Sequence, residues 1–204
     1  MTERAAANTA SSGVAADRPV YAKGSIVGST LAFLRRERGD EYAQRVLASL
    51  VPATRARLTA AEPTEELPFA LVRELWEAVD AQLGASDPRW SDRAGAYSIE
   101  SAGLQFYGGI LRKNNPTEFL TQSVSLFRLF YRPGDMEVVL AAPGSAVLRL
   151  VGCEPGTPLF CQRQTGGLRQ ALTLAAGAAP RTRHVRCALE GDAFCEWELQ
   201  WSDA

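Results

Sequence analysis

No run of about 18 apolar residues occurs in this chain, so nothing in it reads as a membrane span. The N-terminal stretch MTERAAANTASSGVAADRP has no apolar segment behind its charges, so no secretory leader is expected and the protein is expected to be cytoplasmic. With 22 basic and 23 acidic side chains and no Lys/Arg block, the electrostatic footprint of a nucleic-acid binder is missing. There is one histidine. No Gly-rich phosphate loop follows a strand and no Ser/His/Asp set is in view, so an enzyme is the least supported reading. No repeat of solenoid length is present.

At 204 residues the chain suits one domain with a core that needs no disulfide staples. Residues 1–18 are mostly small and polar without a periodic apolar face, and are expected to be a disordered tail before a single domain over 19–204. Helical spacing of Ile26, Val27, Leu31 and Leu34 predicts a helix from Lys23 to Arg38, with a second over about 40–50 and a short third turn over 53–61. Residues 62–67 read as an exposed acidic loop. Pro68 opens an amphipathic helix that carries Leu71, Leu75, Val79 and Leu83 on one face.

Between Arg93 and Arg112 the only charge is Glu100, while Tyr97, Ile99, Leu104, Phe106, Ile110 and Leu111 point all round, the mark of a buried central helix over 88–113. Its glycines, Gly95 among them, each cost roughly 1 kcal/mol of helix propensity, which makes sense if something packs against the backbone there. Another helix is expected over 117–131. After Pro133 the period changes to alternation: strands at 136–140 and 146–151, a helix over 158–176, and strands at about 182–189 and 193–201. The fold class is therefore α+β, about five helices followed by β-β-α-β-β, with an antiparallel sheet backed by helices.

The last two strands hold His184, Cys187 and Cys195. A three-residue loop, Glu190-Gly191-Asp192, pairs 189 with 193, aligns the apolar faces and sets Cys187 opposite Cys195, with Cβ atoms roughly 4.5–5.5 Å apart. Cys161, in the first turn of the 158–176 helix, also faces inward. A closed site of three thiolates and the His184 imidazole follows, but His184 and Cys187 are an odd three residues apart and need a bulge between them. Without one, Cys153 is the rival fourth ligand. With no Cys-x-x-Cys present, spacing alone leaves the competing view that these cysteines are simply small buried apolar residues.

The run His184-x2-Cys187-x3-Gly191-Asp192-x2-Cys195-x-Trp197 resembles the end of the 4-vinyl-reductase domain, and the chain from Tyr21 to Trp201 resembles a paralogous family expanded in myxobacteria that ends the same way. That domain is similar in fold to the ligand-sensing half of phenol-responsive activators and to transport-particle subunits. The resemblance implies zinc on Cys161, His184, Cys187 and Cys195, with histidine where the phenol sensors have an acidic ligand, and leaves Cys153 a bystander.

By the same resemblance, an aromatic or other small apolar ligand would lie against the central helix at Tyr97, Glu100, Phe106 and Tyr107. The competing reading puts Glu100 on that helix's wet edge and the aromatics in the core. The expected function is a zinc-stabilised, non-catalytic small-molecule-binding sensor or adaptor acting through protein partners; the alternative is an interaction module, in either case as a homodimer. Haem fits poorly, because the hairpin already claims the only histidine.

Overall fold

The computed structural model describes residues 19–103, 120, 127–176 and 180–202. The expected tail 1–18 and the positions Phe106 and Tyr107 lie outside the described residues.

The N-terminal half is helical, as its periodicity predicts: α1 (Gly24–Arg38), α2 (Asp40–Ser49), α3 (Pro52–Thr59), α4 (Phe69–Leu83) and α5 (Trp90–Ser98), the last running into a π-helical turn at Ile99–Gly103. Pro52 opens α3, where its missing N–H costs nothing. The α4 stripe buries Val72, Leu75, Trp76, Val79 and Leu83.

Three short strands differ from the sequence reading. Tyr21–Lys23 (β1) pairs antiparallel with Glu66–Pro68 (β2) and with Tyr131–Arg132 (β3), so the expected acidic loop ends in a strand and a second, three-stranded sheet exists. Strands of two or three residues are too short to show an alternating pattern, which is why they are silent in sequence.

The C-terminal sheet has the order β4-β5-β7-β6, all antiparallel, built from β4 (Asp135–Ala142), β5 (Ser145–Val151), β6 (Arg181–Arg186) and β7 (Cys195–Gln200). Ala146, Leu148 and Leu150 of β5 and Cys195, Trp197 and Leu199 of β7 are buried. The helix α6 (Pro158–Ala176) packs against α5 and contributes Phe160, Cys161, Leu172 and Ala175 to the core. A Cβ added at Gly95 would run into the Arg163 carbonyl oxygen, and one at Gly166 into that of Asp92. The neighbour that Gly95 makes room for is therefore α6. Arg169 adds a two-pronged bond to Asp92 across the same interface, at 2.9 and 2.5 Å.

Candidate metal centre

Cys161, His184, Cys187 and Cys195 converge, their donor atoms all within 4.8 Å of one another. Three short pieces of chain bring them there. Pro158 starts α6 so that Cys161 sits in its first turn. Cys195 is the first residue of β7, and Trp197 Nε1 donates to Thr165 Oγ1 at 2.9 Å, fastening that strand to α6.

The β6–β7 register shifts between His184 and Arg186: His184 lies opposite Trp197, yet Arg186 lies opposite Glu196. That irregularity is what the odd His184–Cys187 spacing requires. The expected three-residue loop and its 189–193 pairing do not form, because β6 ends at Arg186 and a 3-10 turn, Ala188–Glu190, follows Cys187. The Asp192 carboxylate accepts the Cys187 N–H at 2.8 Å, Asp192 N–H donates to the Cys187 carbonyl at 3.2 Å, and Gly191 takes the left-handed conformation that closes the turn. Asp192 is a supporting residue that sequence reasoning saw only as turn former.

The Cys161 and Cys195 sulfurs are 3.8 Å apart. Two thiolates on one tetrahedral ion, each bonded at roughly 2.3 Å, stand about 3.8 Å from each other. His184 Nε2 is buried without a hydrogen-bond partner, a costly state that a metal bond would relieve. Cys195 is pulled down to about 4 by the hydrogen bond from the Cys161 thiol, against the opposing effect of burial, with His184 and the Ala188 N–H adding to it. Cys161 is pushed up by that same bond and by burial, and Cys187 by burial. The cluster thus favours one thiolate, on Cys195, and its N–H···S contact from Ala188 measures 3.4 Å. Cys153 is half-buried, stands outside the four-donor group, and is pushed up to about 12 by burial.

Of the other expected site, Phe106 and Tyr107 lie outside the described residues, and Tyr97 and Glu100 are described. Tyr97 packs against Phe33, ring centroids 6.0 Å apart, under the Arg36 guanidinium. The Glu100 side chain is 54% exposed and lies 3.9 Å from Arg36, on the wet edge of its helix.

No protein-family model matches the chain, and no curated protein matches it. Solved structures do. An H-NOX protein from S. oneidensis in the Fe(II) state aligns with TM-score 0.70 and 15% identity over 89% of this chain and 97% of its own. The Fe(II) unliganded H-NOX protein from K. algicida gives 0.68 and 12% over 89% and 97%. A structure from a study of haem distortion in the H-NOX family gives 0.66 and 14% over 89% and 95%. The fold is that of H-NOX domains.

This corrects the family resemblance read from the hairpin. The 4-vinyl-reductase, myxobacterial and transport-particle relationship is not supported, because the hairpin run covers one corner while the H-NOX likeness spans nearly the whole chain. The expected zinc is corrected with it: it came with that resemblance, and the group named in work on the structural relatives is haem. The expected role as a zinc-stabilised, small-molecule-binding sensor or adaptor falls for the same reason.

A haem held by histidine does not fit this chain either. His184 is its one histidine. The ring is stacked on Trp197, centroids 4.7 Å apart, with a donor nitrogen within 4.8 Å of three sulfurs. A space that tight admits a single ion, not the face of a macrocycle.

Proposed function

We propose that this H-NOX-like domain is a non-catalytic signal-transducing module in which Cys161, His184, Cys187 and Cys195 hold one thiophilic transition-metal ion, tying α6 to the last hairpin. The observation that carries this reading is the convergence of four donor atoms within 4.8 Å, one of them in a histidine whose buried Nε2 lacks a partner. Three sulfurs and an imidazole select borderline or soft ions over calcium or magnesium. All four positions are protein ligands, so the site is closed and holds structure in place of doing chemistry.

A tie between α6 and the hairpin couples the helical half to the sheet, so movement at either reaches the other. Output then runs through a protein partner. Fold relatives have been studied for the mechanism of H-NOX activation. No helix among the described residues is long and apolar enough to cross a membrane. Self-association belongs to the same reading, through the edge strand β4, where Val139 and Leu140 are exposed.

Elemental analysis of protein purified under reducing, chelator-free conditions reads every transition metal at once. One equivalent of a single d-block ion is expected. Cobalt(II) added to metal-stripped protein should give sulfur-to-cobalt charge-transfer bands, and protein that takes up neither native metal nor cobalt overturns the proposal.

A further inference from the structure

We infer that this chain uses the H-NOX fold without haem, its interior being filled by its own side chains. The interior faces that would have to part to admit a macrocycle are in direct contact among the described residues. α1 meets α5 where the Ser29 and Ser98 hydroxyl oxygens lie 3.0 Å apart, and α4 meets α1 where Trp76 Nε1 donates to Thr30 Oγ1 at 3.3 Å. α5 and α6 approach backbone to backbone where Gly95 faces the Arg163 carbonyl and Gly166 faces that of Asp92. The bond from Trp197 to Thr165 then closes α6 onto the sheet.

Between α4, α6 and the three-stranded sheet the space is taken by rings. Phe69 packs edge to face against Trp76, Tyr131 and Phe160, with centroids 5.5, 6.2 and 5.8 Å away, and Tyr131 lies 5.1 Å from Phe160 and 5.3 Å from Phe127. None of these five side chains is more than 5% exposed. Rings at such separations touch, so no flat group lies between them. Arg163 completes the cluster: its guanidinium carbon is 4.7 Å from the Trp76 ring and the group bonds the Tyr131 hydroxyl, so the buried cation is already engaged and not held open for a propionate. Nor does the chain offer the iron its usual ligands. The one histidine and three of the four cysteines form the four-donor cluster, and burial pushes the remaining thiol, Cys153, up to about 12, so it stays protonated near neutral pH. That leaves no imidazole and no ready thiolate to hold haem iron.

The full chain, expressed with the haem precursor 5-aminolevulinic acid in excess and purified under reducing conditions, should show no Soret band. Haemin titrated into the purified protein should give neither a Soret band that saturates at one equivalent nor a rise in melting temperature. Near-UV circular dichroism should carry the signals of fixed aromatic rings before any haemin is added, and those signals should not sharpen when it is. Elemental analysis of the same sample reads the metal of the four-donor cluster separately, so a missing ion there leaves these outcomes unchanged. One equivalent of haem retained or taken up, or the absence of fixed-ring signals before haemin is added, overturns the inference.

Discussion

His184 lies flat against Trp197, ring centroids 4.7 Å apart and planes 25° from parallel, while the indole N–H of the same tryptophan bonds Thr165 on α6. One side chain thus orients a metal-ligand candidate and fastens the sheet to the helix that carries another. Trp197 is fully buried. Replacing it with Ala should cost about 3–5 kcal/mol in chemical denaturation. Trp197→Phe keeps a ring for His184 but loses the Thr165 bond, and should cost about 1–2 kcal/mol with metal retained. Loss of metal in Trp197→Phe would show that the strand-to-helix bond, and not the stacking, holds the ligand.

The donor set separates cleanly from the remaining thiol. Cys195→Ser should lose the metal equivalent and lower the melting temperature, because the sulfur it removes is 3.8 Å from that of Cys161 and accepts the Ala188 N–H. Cys153→Ser should keep the metal, with stability changed by about 1 kcal/mol or less. Equal metal loss in both variants would bring Cys153 back among the ligands.

Much of this corner can be read from sequence because β-structure alternates strictly. The inward faces of β5 and β7 follow from their apolar residues, and the odd spacing of His184 and Cys187 calls for the register shift seen before Arg186. The three-residue loop fails because a 3-10 turn follows Cys187 and Asp192 reaches back to accept the Cys187 N–H, a side-chain bond that no periodicity encodes. The family was misread because a hairpin run fixes only one corner, whereas the course of the helices around it distinguishes one α+β fold from another. Arg163 was silent for a related reason. A charged residue between Cys161 and Thr165 looks like solvent face until α4 brings Trp76 over it.

The α5–α6 contact rests on absent side chains. Gly95→Ala would drive a methyl group into the Arg163 carbonyl, backbone that cannot step aside, and should cost about 2–3 kcal/mol or more. Gly28, inside α1, has nothing within 4 Å of an added Cβ. Gly28→Ala should stabilise by about 0.5–1 kcal/mol through helix propensity and a less flexible unfolded chain. Thermal denaturation of the two variants should move in opposite directions, and a neutral Gly95→Ala would show that the helices do not approach as closely as described.

Tyr131 sets an alkaline limit on stability. Burial pushes its phenol from 10.0 up to about 12, with nearby Arg163 pulling the other way. Below pH 10 the phenol is protonated in both folded and unfolded chains and favours neither. From pH 10 the unfolded chain ionises first, so stability is lost as the pH rises toward 12, by on the order of 2–3 kcal/mol when the loss is complete. Absorbance at 295 nm should show one of the five tyrosines titrating late, near pH 12. Tyr131→Phe should remove that late step and flatten the fall in denaturation midpoint between pH 10 and 12; a fall of unchanged steepness would assign the alkaline limit to another buried group.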